Sequence, residues 1–127
     1  MAILRFDFTG LGQSKGDFAD TNFSSNLSDL KDAYDFLEAN YDAPQIIVGH
    51  SLGGAAVLHV AKELDKVRAV ATIGAPSTPD HVSHLLDAGK KELEEVGEAK
   101  VNIGGRTFKI KKQFLDDFSN NFRYKCA

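Results

Sequence analysis

IIVGHSLGGAAVLHVA, residues 46 to 61, joins a β-branched run to an alanine-rich run through Gly49-His50-Ser51-Leu52-Gly53. The five residues form a G-x-S-x-G pattern, and the runs on either side suit a strand entering it and a helix leaving it. At a sharp strand-to-helix bend the central residue is strained. Neighbouring backbone passes so close that the positions two away on each side must be small. Gly49 and Gly53 meet that need, while Gly54, Ala55 and Ala56 let the helix sit tightly on a sheet. Such a bend lifts the Ser51 hydroxyl above the sheet and puts a helix N-terminus behind it, where developing negative charge is favoured. The Leu52 amide then serves as one donor of an oxyanion hole. The plainer alternative is a tight turn with an incidental serine, which has no use for both glycines. Because a serine hydroxyl attacks poorly until a base takes its proton, the decisive question is which residue acts as that base.

Outward from this stretch the pattern is strand, helix, strand, helix, strand. Ala2–Phe8 reads as a strand ended by Thr9-Gly10, and a long Gly- and Ser-containing loop follows. A helix is expected over Asn26–Asn40, with Leu27, Leu30, Tyr34, Leu37 and Tyr41 on one stripe and Ser24, Ser25 or Asn26 as its cap. Gln45–Gly49 is a second strand, apolar throughout and so expected to be buried on both faces of a parallel sheet. Leu52–Leu64 is a helix and Arg68–Gly74 a third strand, ended by Ala75-Pro76. Parallel strands need such crossovers, so the class is α/β. Beyond Pro79 come one or two short helices, a small hairpin around Gly104-Gly105, and a last helix with Phe114, Leu115 and Phe118 on one side.

Composition narrows the functional classes. The 127 residues, 43% hydrophobic, suit one globular domain, and 15 basic against 18 acidic residues give a net charge of -3. That balance lacks the clustered basic excess of a nucleic-acid binder. The clusters Glu92, Glu94, Glu95, Glu98 and Arg106, Lys109, Lys111, Lys112 read as solvated faces. The lone cysteine, Cys126, builds no internal disulfide. No run approaches the roughly 18 apolar residues that span a bilayer, and the N-terminus lacks the order of a secretory signal, so a cytoplasmic location is expected. With no GxGxxG fingerprint, no P-loop and no metal-ligand cluster beyond His81 and His84, neither cofactor nor metal is expected.

GHSLGGAA and the earlier RFDFTGLGQSKG resemble the α/β-hydrolase superfamily. The second stretch is similar to that family's D-x-R-G-x-G-x-S segment: Asp7, Gly10, Gly12 and Ser14 match, and Thr9 stands where many members have arginine. RFDFTGLG, DFADTNFSSN, IGAPSTPDHV and VNIGGRTFKIKKQFLDD more narrowly resemble the hydrolase half of bacterial proteins that join an α/β-hydrolase to an OsmC-like domain. The resemblance implies a serine hydrolase acting on a small-molecule ester or amide. It also implies a core over residues 1–78 and a helical and hairpin cap over residues 79–127.

The same resemblance implies absences. In that family the acid and histidine follow the nucleophile, after later strands, and the second oxyanion donor follows the third strand. None of these has a counterpart here. If Ala2–Phe8 is the family's fourth strand and Gln45–Gly49 its fifth, the third strand, which lies between them, is missing. The chain therefore reads as a fragment of a larger hydrolase. Its strands either close the gap by pairing or leave open edges that invite self-association or a complementing chain. Of the four histidines, His50 adjoins Ser51 but points away, and His59 lies too far along the following helix at ~1.5 Å per residue. His81 and His84, with Asp80 as a candidate acid, begin the cap at the same end of the sheet as Ser51. They are the local candidates, set against a base located elsewhere. Asp7 reads as a loop anchor. The rival to an enzyme is a non-catalytic hydrolase-like module that binds through its cap or open sheet edges.

Overall fold

The helix before the bend begins earlier than its apolar stripe suggests. α1 spans Phe23–Asn40 because Asn22 caps it: the Asn22 side chain accepts from the Ser25 amide at 2.7 Å, and the Asn22 amide donates back to the Ser25 hydroxyl at 3.0 Å. This reciprocal pair satisfies two terminal donors. It moves Asn26, one of the expected caps, into the helix, where its side chain is fully buried. Phe23, Leu27, Leu30 and Tyr34 form the buried stripe. The computed structural model describes residues 1–77, 79–103 and 105–121.

β1, Ile46–His50, pairs in parallel with β2, Ala69–Ile73, in the register Ile46↔Ala69 to His50↔Ile73. Between them α2 runs Leu52–Val60 and closes in a 3-10 turn, Ala61–Glu63. Ala55, Ala56, Val57 and Val60 are buried, and α2 packs on the sheet on one side and on α1 on the other. Apolar periodicity therefore located the bend and its crossover to within a residue or two.

Two expectations about this sheet are corrected. Ala2–Phe8 is not a strand: residues 1–6 are exposed and pair with no other segment among the described residues. A strand exists only as part of a ladder, and among the described residues none lies alongside this one. Nor is β1 buried on both faces. Ile47 and Gly49 face α2, whereas Ile46 and Val48 remain 62% and 60% exposed on the other side.

The last third forms a second layer. α3, Pro79–Val96, is one helix rather than two. β3, Glu98–Ile103, and β4, Arg106–Lys111, pair antiparallel as the hairpin expected from the sequence, and α4 spans Lys112–Asn121. The turn uses Gly105 at φ 80°, a left-handed conformation that glycine adopts freely; Gly104 lies outside the described residues. Leu86 and Leu93 of α3, Ala99, Val101 and Ile110 of the hairpin, and Phe114 and Phe118 of α4 are buried in a cluster continuous with α1 and α2. Phe18 meets Phe108 and Phe114 at ring separations of 5.9 and 5.5 Å, and Phe23 meets Phe118 at 5.2 Å. Asp117 accepts from both the amide and the hydroxyl of Ser24 at 2.7 Å, and Lys111 pairs with Asp20. The second layer is thus bound to the entrance of α1 by aromatic and charged contacts together.

Candidate active site

Ser51 lies at the junction of β1 and α2 with φ 52° and ψ -119°, the only non-glycine positive φ among the described residues. This is costly backbone for a residue with a side chain, on the order of 1–3 kcal/mol, and it persists only where its surroundings enforce it. Here they do. A Cβ at Gly49 would stand 2.2 Å from the Gly53 carbonyl oxygen, and one at Gly54 would stand 2.6 Å from the Ala75 Cβ. The Ser51 amide donates to the Ile73 carbonyl at 2.8 Å, fastening the bend to the end of β2. The Ser51 carbonyl accepts from Gly54 at 2.9 Å and Ala55 at 3.3 Å, so α2 starts at once. As first residue of α2, Leu52 has an amide with no intrahelical acceptor. Both glycines singled out in the sequence, Gly49 and Gly53, are at the contact that shapes the bend.

The loop before α1 folds up beside the bend. Asp7 anchors it as expected: its carboxylate accepts from the Gln13 amide at 3.3 Å and its carbonyl from the Ser14 hydroxyl at 2.5 Å. Gly12 at φ 52° passes so close that a Cβ there would overlap the Asp7 carboxylate. Phe8 packs against the core, with its ring over Gly53. The Thr9 amide and hydroxyl both donate to the Asp29 carboxylate of α1, a tie not legible in the sequence, where Asp29 is one of several acidic residues along a helix. The buried Asn26 side chain, whose nitrogen and oxygen both lack a partner, was likewise not anticipated.

The histidines whose side chains the structure describes do not meet the serine. No side-chain hydrogen bond reaches Ser51 among the described residues. His50 is exposed, and His59 rests edge-on against the Phe23 ring at 5.9 Å. His84, 82% exposed, turns its Nδ1 to Asp87 at 3.1 Å. Asp80 and His81 belong to the first turn of α3, and their side chains lie outside what the structure describes. Among the described residues no group of three potential metal ligands occurs, and no helix is long and apolar enough to cross a membrane. A cavity of about 430 Å³ lined by Asp42, Ala43, Gln45, Lys66 and Arg68 opens where β1 and β2 begin, the opposite end from Ser51.

The sequence model of the "Alpha/beta hydrolase family" matches residues 2–124. The mitochondrial palmitoyl-protein thioesterase ABHD10 of Rattus norvegicus is 37% identical over 101 residues, covering 76% of this chain and 33% of the relative. Its Homo sapiens counterpart is 33% identical over 99 residues, covering 78% and 31%. The chain therefore spans about a third of the length of the curated relatives it matches. Among solved structures, the esterase domain of a Rhodothermus marinus protein superposes with TM-score 0.58 at 50% identity, covering 85% of this chain and 44% of that one. A structure named for a hydrolase from Agrobacterium vitis S4 superposes with TM-score 0.70 at 25% identity, covering 92% and 48%.

Proposed function

The chain belongs to the alpha/beta hydrolase family, and from that premise we propose that it carries the nucleophile of a serine hydrolase acting on acyl esters or thioesters. The observation that carries this reading is the conformation of Ser51. A serine held at φ 52° between Gly49 and Gly53, at the start of α2, has no structural reason to be there. Ser51 attacks the acyl carbon, its proton passes to a base, and the carbonyl oxygen becomes an oxyanion that accepts from the Leu52 amide at the positive end of α2. Expulsion of the alcohol or thiol leaves an acyl-enzyme, which water then cleaves to restore the serine. An acyl thioester fits the names of the curated relatives and an ester that of the Rhodothermus marinus domain.

The base is proposed to come from outside the described residues, since His84 is committed to Asp87. Asp80 and His81 stay as local candidates by their position at the start of α3. A fluorophosphonate probe tests the reading on the chain mixed with one supplying the remaining strands of the family's fold: labelling at Ser51 that disappears in Ser51→Ala supports an activated serine, and an unlabelled wild type in that mixture overturns it. A second reading, a hydrolase-like binding module, is favoured by the bare face of β1, where Ile46 and Val48 are exposed. Acyl-thioester turnover separates the two. Activity that appears on mixing with a chain supplying the remaining strands of the family's fold favours the enzyme. Association without turnover favours the module.

A further inference from the structure

One carboxylate accepts the hydrogen bonds that join the N-terminal segment to α1. The Thr9 amide donates to Asp29 Oδ2 at 2.8 Å and the Thr9 hydroxyl to Asp29 Oδ1 at 3.2 Å. Among the described residues, every other hydrogen bond made by residues 1–16 stays within that segment: Leu11 to Phe8, Gly10 to Lys15, Ser14 to Leu11, and the two to Asp7. Thr9 also braces the base of its loop, since its methyl stands 2.7 Å from where a Cβ at Gly16 would lie. The residue just before it, Phe8, sets its ring over the first turn of α2, with Cε2 3.9 Å from where a Cβ at Gly53 would lie. Because α1 and α2 pack on each other, Asp29, Thr9, Phe8 and Gly53 close a mechanical circuit from one helix to the next through the loop.

We propose that Asp29 is a positioning residue for Ser51, acting through Thr9 and Phe8 to fix the loop wall and the first turn of α2 relative to each other. This rests on the reading of Ser51 as nucleophile. The bend itself is set by Gly49 and Gly54, so losing the clamp leaves the fold in place and loosens the site. Displacement of a reacting group by about 1 Å is enough to cost up to two orders of magnitude in rate.

The test is the kinetics of fluorophosphonate labelling at Ser51 in the full chain mixed with one supplying the remaining strands of the family's fold, split into the limiting inactivation rate and the half-saturating probe concentration. Asp29→Ala is expected to lower the limiting rate about tenfold with little change in half-saturation. Asp29→Asn keeps one acceptor for the Thr9 amide and is expected to recover to within about threefold of wild type. Thr9→Val, which keeps the methyl and the amide but not the hydroxyl, is expected to fall between them. Lys31→Ala, which breaks an ion pair on the same helix, serves as the stability control and should leave labelling unchanged. Wild-type labelling in Asp29→Ala, or loss in proportion to melting temperature across all four variants, overturns the proposal. If Asp29→Ala does not fold, the ordering of Asp29→Asn and Thr9→Val decides in the same way. Should wild type itself not label, the nucleophile reading fails and amide hydrogen exchange judges the clamp. Faster exchange in Asp29→Ala, or in Thr9→Val if Asp29→Ala does not fold, at both residues 9–16 and 52–54 supports it, and acceleration confined to residues 9–16 overturns it.

Discussion

The described residues form two sheets of two strands each, and they are finished to different degrees. In the β3–β4 hairpin the inward residues Ala99, Val101 and Ile110 are buried under α3 and α4, while on the outward side Glu98 pairs with Lys109, Lys111 pairs with Asp20 and Lys100 meets solvent. Its sequence alternates, as a sheet covered on one side requires. The β1–β2 pair is covered on one side too, by α2, yet its bare face presents Ile46, Val48 and Ile73, each close to 60% exposed. That sequence belongs to a sheet covered twice. The candidate chemistry sits on the sheet left open, and the bend carrying Ser51 keeps its form because backbone contacts to α2 and β2 hold it, independent of the bare face.

The sharpest way to break this comparison is to attack those backbone contacts. Gly49→Ala places a methyl 2.2 Å from a main-chain oxygen that cannot turn aside. It is expected to cost about 4 kcal/mol and to abolish labelling at Ser51, measured by urea denaturation and probe incorporation. A wild-type denaturation midpoint would mean the bend is softer than its geometry. Next comes the closed sheet: Ile110→Ala removes a side chain only 2% exposed from the hairpin core. The expected loss is about 3 kcal/mol, with labelling per folded molecule unchanged. Loss of labelling there would show that the two sheets are one functional unit.

The sequence made the bend, the crossover, the hairpin and the apolar side of α4 legible, because each follows from spacing and from glycine placement. It misled at Ala2–Phe8, where strand-like composition has no ladder to join, and at β1, where apolar residues on both faces meet only one covering helix. Local composition states what a segment is suited to; the presence of a neighbour decides whether it gets it. The start of α1 was misplaced because Asn22 and Ser25 cap reciprocally, a pairing of side chain and backbone that periodicity does not contain. At the candidate site Ser51, Gly49 and Gly53 were readable from pattern. The Asp29–Thr9 clamp was not, since it joins residues 20 apart in sequence through an unremarkable acidic position.

Two smaller effects sharpen the same contrast. Ser51→Gly removes the Cβ from a φ of 52° and is expected to raise stability by about 1 kcal/mol while eliminating labelling. Destabilisation by thermal melt would show that the serine side chain contributes packing rather than strain. On the bare face, Val48→Lys should change stability by no more than about 0.5 kcal/mol, since Val48 is 60% exposed. If that face drives self-association, sedimentation velocity will show less of it in the variant; an unchanged distribution would place any association elsewhere.

The smallest expected effect concerns how α1 is joined to the turn after α2 on the open-sheet side. Lys31 donates to Glu63 at 2.6 Å, both side chains being over 40% exposed. That hydrogen bond, ahead of the charge of Lys31, holds the Glu63 carboxyl below its ordinary 4.5. Because the folded state favours the ionised form, the contribution is fully present above the ordinary value and is lost as pH falls through the lowered one. Exposure limits it to a few tenths of a kcal/mol. Glu63→Gln should therefore melt slightly below wild type at pH 7 in low salt, by about 1 °C, and the gap should close in acid once the wild-type carboxyl is protonated. It should also shrink at high ionic strength, as an exposed pair is screened. A gap that persists in acid would assign the effect to packing of the Glu63 stem against α1 rather than to its charge.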